Sequence, residues 1–120
     1  MKRNMDLIRK ILLKAEEHPD GFMPHNFVIE GFDENTMGYH IYLMGQAGLV
    51  DVLDRNLDMA RSPSAILLNL TWQGHEFLEN SRNPNIWEQA KSVIGKAGEG
   101  SFAVWQSVLT DLVKRSIGFG

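Results

Sequence analysis

The sequence contains no cysteine. That absence excludes disulfide staples, thiolate nucleophiles and cysteine-ligated zinc, and leaves an apolar core to hold the chain together. No apolar run approaches the roughly 20 residues needed to span a bilayer. The opening Met1-Lys2-Arg3-Asn4 passes straight into a charged amphipathic segment, where a secretory signal would have an unbroken apolar stretch. The expectation is a cytoplasmic protein with no membrane partner. A basic surplus is missing too: net charge is −3, with six Lys/Arg against ten Asp/Glu in residues 1–60 and six against five in residues 61–120. Neutralising phosphates supplies much of nucleic-acid affinity, so any such footprint here has to be a local patch.

Catalytic signatures are absent as well. There is no Gly-x-Ser-x-Gly elbow, Walker loop or paired-carboxylate pattern. Gly95-Lys96-Ala97-Gly98-Glu99-Gly100 lacks the strand before it and the Lys-Ser/Thr ending that phosphate cradling needs, and Glu99 would repel an anion. It reads as a helix–helix connector. The four histidines, His18, His25, His40 and His75, show no metal-binding spacing, and His75 with Glu79 four residues on reads as a polar pair. No enzymatic activity, metal or cofactor is expected.

What is present is 120 residues with 43% apolar content, enough for one compact domain. Met5, Ile8, Leu12 and Ala15, with Ile11 beside them, form a helical stripe over residues 4–18, which Pro19-Asp20-Gly21 ends. Phe27-Val28-Ile29 before Gly31 reads as a brief strand. Asp33 can cap a second helix carrying Met37, Ile41, Met44 and Ala47, and Gly48 can end it in the left-handed conformation. Leu49–Leu53 and Ala65–Leu70 read as the arms of a hairpin with a long polar tip through Asp54, Arg55, Asn56 and Asp58. Thr71 can cap a third helix to about Asn80, Asn83-Pro84 restarts a fourth through Ile86, Trp87, Ala90 and Ile94, and Ser101 opens a fifth. Trp72, Trp87 and Trp105 are expected mainly in the core.

Two phrases, Tyr39-His40-Ile41-Tyr42-Leu43-Met44-Gly45-Gln46-Ala47-Gly48-Leu49-Val50 and Leu70-Thr71-Trp72-Gln73-Gly74-His75-Glu76-Phe77-Leu78, join the opening Met1-Lys2-Arg3-Asn4-Met5-Asp6-Leu7-Ile8-Arg9-Lys10-Ile11-Leu12. With Trp87, Lys91 and Ser101-Phe102, they make nearly the whole chain resemble the bacterial and phage family known as domain of unknown function 2513. The first phrase is similar to a helix-to-wing junction and the second to the exit from a wing. The resemblance implies a winged-helix-type fold and frequent phage or prophage origin; it brings no catalytic residues. His40 and His75, inside these phrases, are expected to make structural hydrogen bonds to the wing or the first helix.

The expected fold is α+β: a winged-helix-like domain over residues 1–82 with a C-terminal helical pair, 83–120, packed on it or forming a dimer contact. The leading functional expectation is a non-enzymatic phage or prophage accessory protein that binds double-stranded DNA, with a role in transcription control. Outward candidates on the second helix are Asn35, Thr36, Tyr39, His40 and Gln46, which can read bases but supply no phosphate charge. Arg55 and Arg61 in the tip would add contacts, and Arg9, Lys10 and Lys14 would neutralise phosphate. The alternative is a protein-binding module or homodimer using Phe102, Trp105, Leu109 and Leu112 on the last helix, and the acidic balance favours it.

Overall fold

Each helix whose start is capped begins where a short polar side chain can accept from the free amides of the first turn. In the computed structural model, which describes residues 1–24, 27–55, 60–96 and 100–118, α1 is Met5–Glu17, α2 Glu34–Gln46, β1 Val50–Asp54, β2 Ala65–Leu70, α3 Trp72–Ser81, α4 Pro84–Gly95 and α5 Phe102–Ser116. Among the described residues this is an α+β chain of five helices and one two-stranded antiparallel sheet. It divides into two compact units, Met1–His75 and Glu76–Gly120, so the division falls within α3.

In the first unit Asn4 caps α1, its side-chain oxygen accepting from Leu7 N at 3.1 Å. The expected stripe is buried, and Leu7 is buried with it. At the other end Pro19 pushes His18 into the extended region (φ −68°, ψ 133°), which stops the helix. Asp33 caps α2 by accepting from Thr36 N at 2.7 Å. Gly48 closes that helix at φ 78°, while Leu49 N reaches back to Met44 O at 3.0 Å.

The expected strand at Phe27–Ile29 is not formed. Ile29 is a buried anchor whose carbonyl accepts from Phe32 N at 3.3 Å, and Val28 is exposed. The backbone bond to the hairpin is made earlier, by Met23 N to Leu68 O at 2.9 Å. Leu68 is the extra residue of a β-bulge: Asp51 pairs with Asn69 but Val52 pairs with Leu67. Its carbonyl is the one that accepts from Met23, outside the sheet. The hairpin is otherwise as expected, extended by Arg55 N to Ser64 O at 2.8 Å. Its tip at Asn56 and Asp58 lies outside the described residues.

Thr71 locks the hairpin to α3. Its hydroxyl donates to Gly48 O and accepts from Gly74 N at 3.1 Å, while its own amide donates to Leu49 O at 3.1 Å. The Ala47-Gly48-Leu49 step and the Leu70-Thr71 phrase, far apart in sequence, are therefore the two halves of one joint.

In the second unit Asn83 caps α4, accepting from Asn85 N and Ile86 N, with Pro84 in the first turn where its missing amide costs nothing. Ser101 caps α5, accepting from Val104 N at 3.3 Å. A file of rings runs through the unit: Phe102 stacks on Phe77 (centroids 5.2 Å apart), Phe77 meets Trp87 edge-on (6.4 Å), and Trp87 stacks on Trp105 (4.7 Å). The α5 face expected to await a partner is thus largely used within the unit. Trp105 and Leu109 are buried, and Phe102 and Leu112 are half-buried. Trp72, expected in the core, is 77% exposed. It is the first residue of α3, ahead of the turn that Gly74 presses against Leu49, and so it projects from the joint rather than into it.

Candidate functional site

Helix α2 packs on three sides and leaves a fourth outward. Met37, Ile41 and Met44 are buried. Toward α1, His40 accepts at Nε2 from the Asn4 amide at 2.8 Å. Toward the hairpin, a β-carbon added at Gly38 would stand 2.1 Å from Ser64 Oγ, and one at Gly45 would stand 2.9 Å from Val52 Cγ2. Two glycines on one side of the helix are what let the hairpin lie so close.

The remaining side is Asn35, Tyr39, Tyr42 and Gln46, at helical spacings of four, three and four. Asn35 and Gln46 are exposed and the tyrosines half-buried. The two rings stack at 6.4 Å, and Gln46 Nε2 donates to Tyr42 Oη at 3.0 Å. The stripe carries amide and phenol groups and no charge. Tyr42 was missed in the sequence reading, although its position three residues after Tyr39 and four before Gln46 marks it.

His40 is corrected from an outward contact to a buried joint. It is 1% exposed, and its Nδ1 lies 2.8 Å from Thr36 O. A carbonyl only accepts, so Nδ1 carries the hydrogen and Nε2 is left as the acceptor for Asn4. This is the expected structural bond to the start of the first helix. His75 is exposed, and Glu79 pairs with Arg82 at 2.7 Å.

The expected cations flank α2 unevenly. Lys10 Nζ sits 5.8 Å from the centroid of Phe32, just before the α2 cap. On the hairpin side Arg55 donates to Glu34 Oε1 at 3.3 Å in an exposed pair. Arg61 and Lys14 are exposed, while Arg9 is half-buried and already engaged. The Asp33 carboxyl is held below its ordinary value, first by the backbone hydrogen bond from Thr36 and then by that residue's side chain.

Between residues 27–32, α2 and the hairpin lies a cleft of about 410 Å³, walled by Phe27, Phe32, Met37, Ile41 and Leu67, with the Glu34–Arg55 pair in its lining. Among the described residues, no group of three or more His, Asp or Glu is placed to hold a metal, and no helix is long and apolar enough to cross a membrane. His25 lies outside the described residues, as do Gly98 and Glu99 of the connector.

A family model described as "Hypothetical protein (DUF2513)" matches residues 2–100. The chain belongs to the DUF2513 family. An "Uncharacterized protein" of Haemophilus influenzae strain KW20/Rd is 42% identical over 97 residues, covering 78% of this chain and 79% of that protein. No solved structure shows significant similarity. The DUF2513 match takes in the α2 stripe, the hairpin and the Thr71 joint together, and α5 follows it.

Proposed function

We propose that α1, α2 and the β1–β2 hairpin form a winged-helix-like unit that binds double-stranded DNA without catalysing a reaction, with the α2 stripe in the major groove and the hairpin as the wing. The observation that carries this reading is the uncharged stripe Asn35-Tyr39-Tyr42-Gln46 on a helix with elements bearing exposed cations on both sides. Amides and phenols supply the donors and acceptors that base edges require. Lys10 on the α1 side, with Arg55 and Arg61 on the hairpin side, would supply the positioning contacts to phosphate. Lys14 and Arg9 would reinforce the α1 side.

The decisive experiment is fluorescence anisotropy on a mixed-sequence duplex at about 50 and 200 mM salt. Binding that weakens roughly a hundredfold between them, the response of about four neutralised phosphates, is expected. Arg55→Ala with Arg61→Ala should weaken it further. Absence of binding at the lower salt would retire this reading.

A second reading rests on a specific observation, the stacked Tyr39–Tyr42 pair together with exposed Trp72. Tyrosine and tryptophan dominate the energetic centres of protein interfaces. The net charge of −3 suits a protein partner better than DNA. That reading expects retention of a protein partner that is insensitive to salt and lost on Tyr39→Ala.

A further inference from the structure

Helix α2 contains no Lys or Arg, so a DNA-binding role requires charge from elsewhere beside it. The structure brings such charge to its middle through one hydrogen bond. His40 Nε2 accepts from the backbone amide of Asn4, and the side chain of Asn4 in turn caps α1. Asn4 is thus held twice, through its amide by α2 and through its carboxamide by α1. Lys2 and Arg3 are the residues immediately before it; both are exposed, and Arg3, like Arg55, already has an interaction within the chain that a phosphate would have to share or replace.

Two residues span at most about 7 Å, so the backbone of Lys2 and Arg3 stays close to the point where Asn4 meets α2. That point adjoins the stripe: the His40 and Tyr39 rings meet edge-on with centroids 6.0 Å apart. On the opposite side of α2 the hairpin holds Arg55. A helix lying in a major groove about 12 Å wide has a phosphate backbone along each side. Cations rooted at the two flanks of α2 fit that pair of walls.

We infer that Lys2 and Arg3 form a basic segment that neutralises the phosphate wall on the α1 side of DNA-bound α2, and that His40 is the positioning residue that roots it there. The inference rests on the DNA reading and assigns to these residues the charge that α2 lacks. Lys10 sits near the start of α2, over Phe32, so Lys2 and Arg3 extend the cationic flank along the helix rather than duplicating it.

The test measures the log–log salt dependence of duplex binding by anisotropy for the whole chain and two variants. Each lost phosphate contact lowers the slope by about 0.9, so Lys2→Gln with Arg3→Gln should reduce its magnitude by about 1.8. Both positions are exposed, and an unchanged thermal melt is the check on folding. His40→Leu keeps bulk but removes the acceptor. If it melts cooperatively, it should lower the slope in the same direction, an effect that lost stability alone would not produce. Binding by the parent chain with an unchanged slope in the double variant overturns the phosphate role and leaves the DNA reading standing. A folded His40→Leu protein with the parent slope overturns the positioning role. No duplex binding by the parent chain overturns both the inference and the reading beneath it.

Discussion

Gly74 faces the carbonyl oxygen of Leu49 so closely that a β-carbon at that position would stand 2.0 Å from it. The obstacle is backbone, fixed by two bonds of its own: Leu49 O accepts from Thr71 N, and Leu49 N donates to Met44 O. Neither partner can turn aside. Gly74→Ala should therefore destabilise the chain by about 2 kcal/mol, within the usual cost of overpacking, despite alanine's better helix propensity. A urea titration followed by circular dichroism checks this, and a midpoint at or above that of the parent chain would refute it.

Gly38 is the instructive contrast. A β-carbon there meets Ser64 Oγ at 2.1 Å, but that atom ends a rotatable side chain, and the next obstacle, Ser64 Cβ, stands at 3.2 Å. Gly38→Ala should cost less than Gly74→Ala, because the helix-propensity gain of about 1 kcal/mol offsets much of the crowding. Combining Gly38→Ala with Ser64→Ala removes the hydroxyl and should bring stability back to the parent value or above it.

Asp33 gives a pH dependence whose sign is fixed by its cap. Its folded-state pKa lies below the ordinary value of 3.8, because the ionised carboxylate accepts from Thr36. The stabilisation is therefore present above 3.8 and disappears as pH falls through the lower, folded value. Asp33→Asn keeps an acceptor for the α2 amides but cannot titrate. Denaturant midpoints of the two proteins, followed as pH is lowered from about 5 through 3.8 and beyond, should converge toward acid. A gap that instead widened toward acid would contradict the capping role.

Much of this was legible in the sequence because it is local. Asp33 and Thr71 could be placed as caps, and Asn83-Pro84 and Ser101 as helix starts, from local chemistry alone, and Gly48 as the end of α2 from the conformation it permits. The hairpin followed from two β-favouring runs. What could not be read depends on distant partners. Phe27–Ile29 has strand composition, but the bulge at Leu68 turns the neighbouring edge toward Met23 instead. His40 has two readings in the sequence, an outward contact and a structural bond to the first helix, and only the position of Asn4, 36 residues earlier, selects the buried joint. Of the outward stripe, the sequence offers Asn35, Tyr39 and Gln46 as outward candidates, and Tyr42 shares their helical spacing.

The three tryptophans separate by environment in a way their shared helical settings conceal. Trp87 is 2% exposed, stacked on Trp105 and edge-on to Phe77. Removing its indole leaves a cavity among rings that cannot collapse without giving up their own contacts, so Trp87→Ala should cost about 3–5 kcal/mol. Trp72 is mostly exposed at the first turn of α3, where little apolar area is withdrawn from water. Trp72→Ala should change stability by less than about 1 kcal/mol, as at most surface positions. Fluorescence makes the same distinction without a stability measurement. Iodide should quench Trp72 strongly and leave Trp87 and Trp105 protected, so Trp72→Phe should abolish most of the quenchable emission. If Trp72→Ala proved as damaging as Trp87→Ala, or if the Trp72→Phe protein remained fully quenchable, the exposed setting of Trp72 would be wrong, and with it the claim of the protein-binding alternative on that side chain.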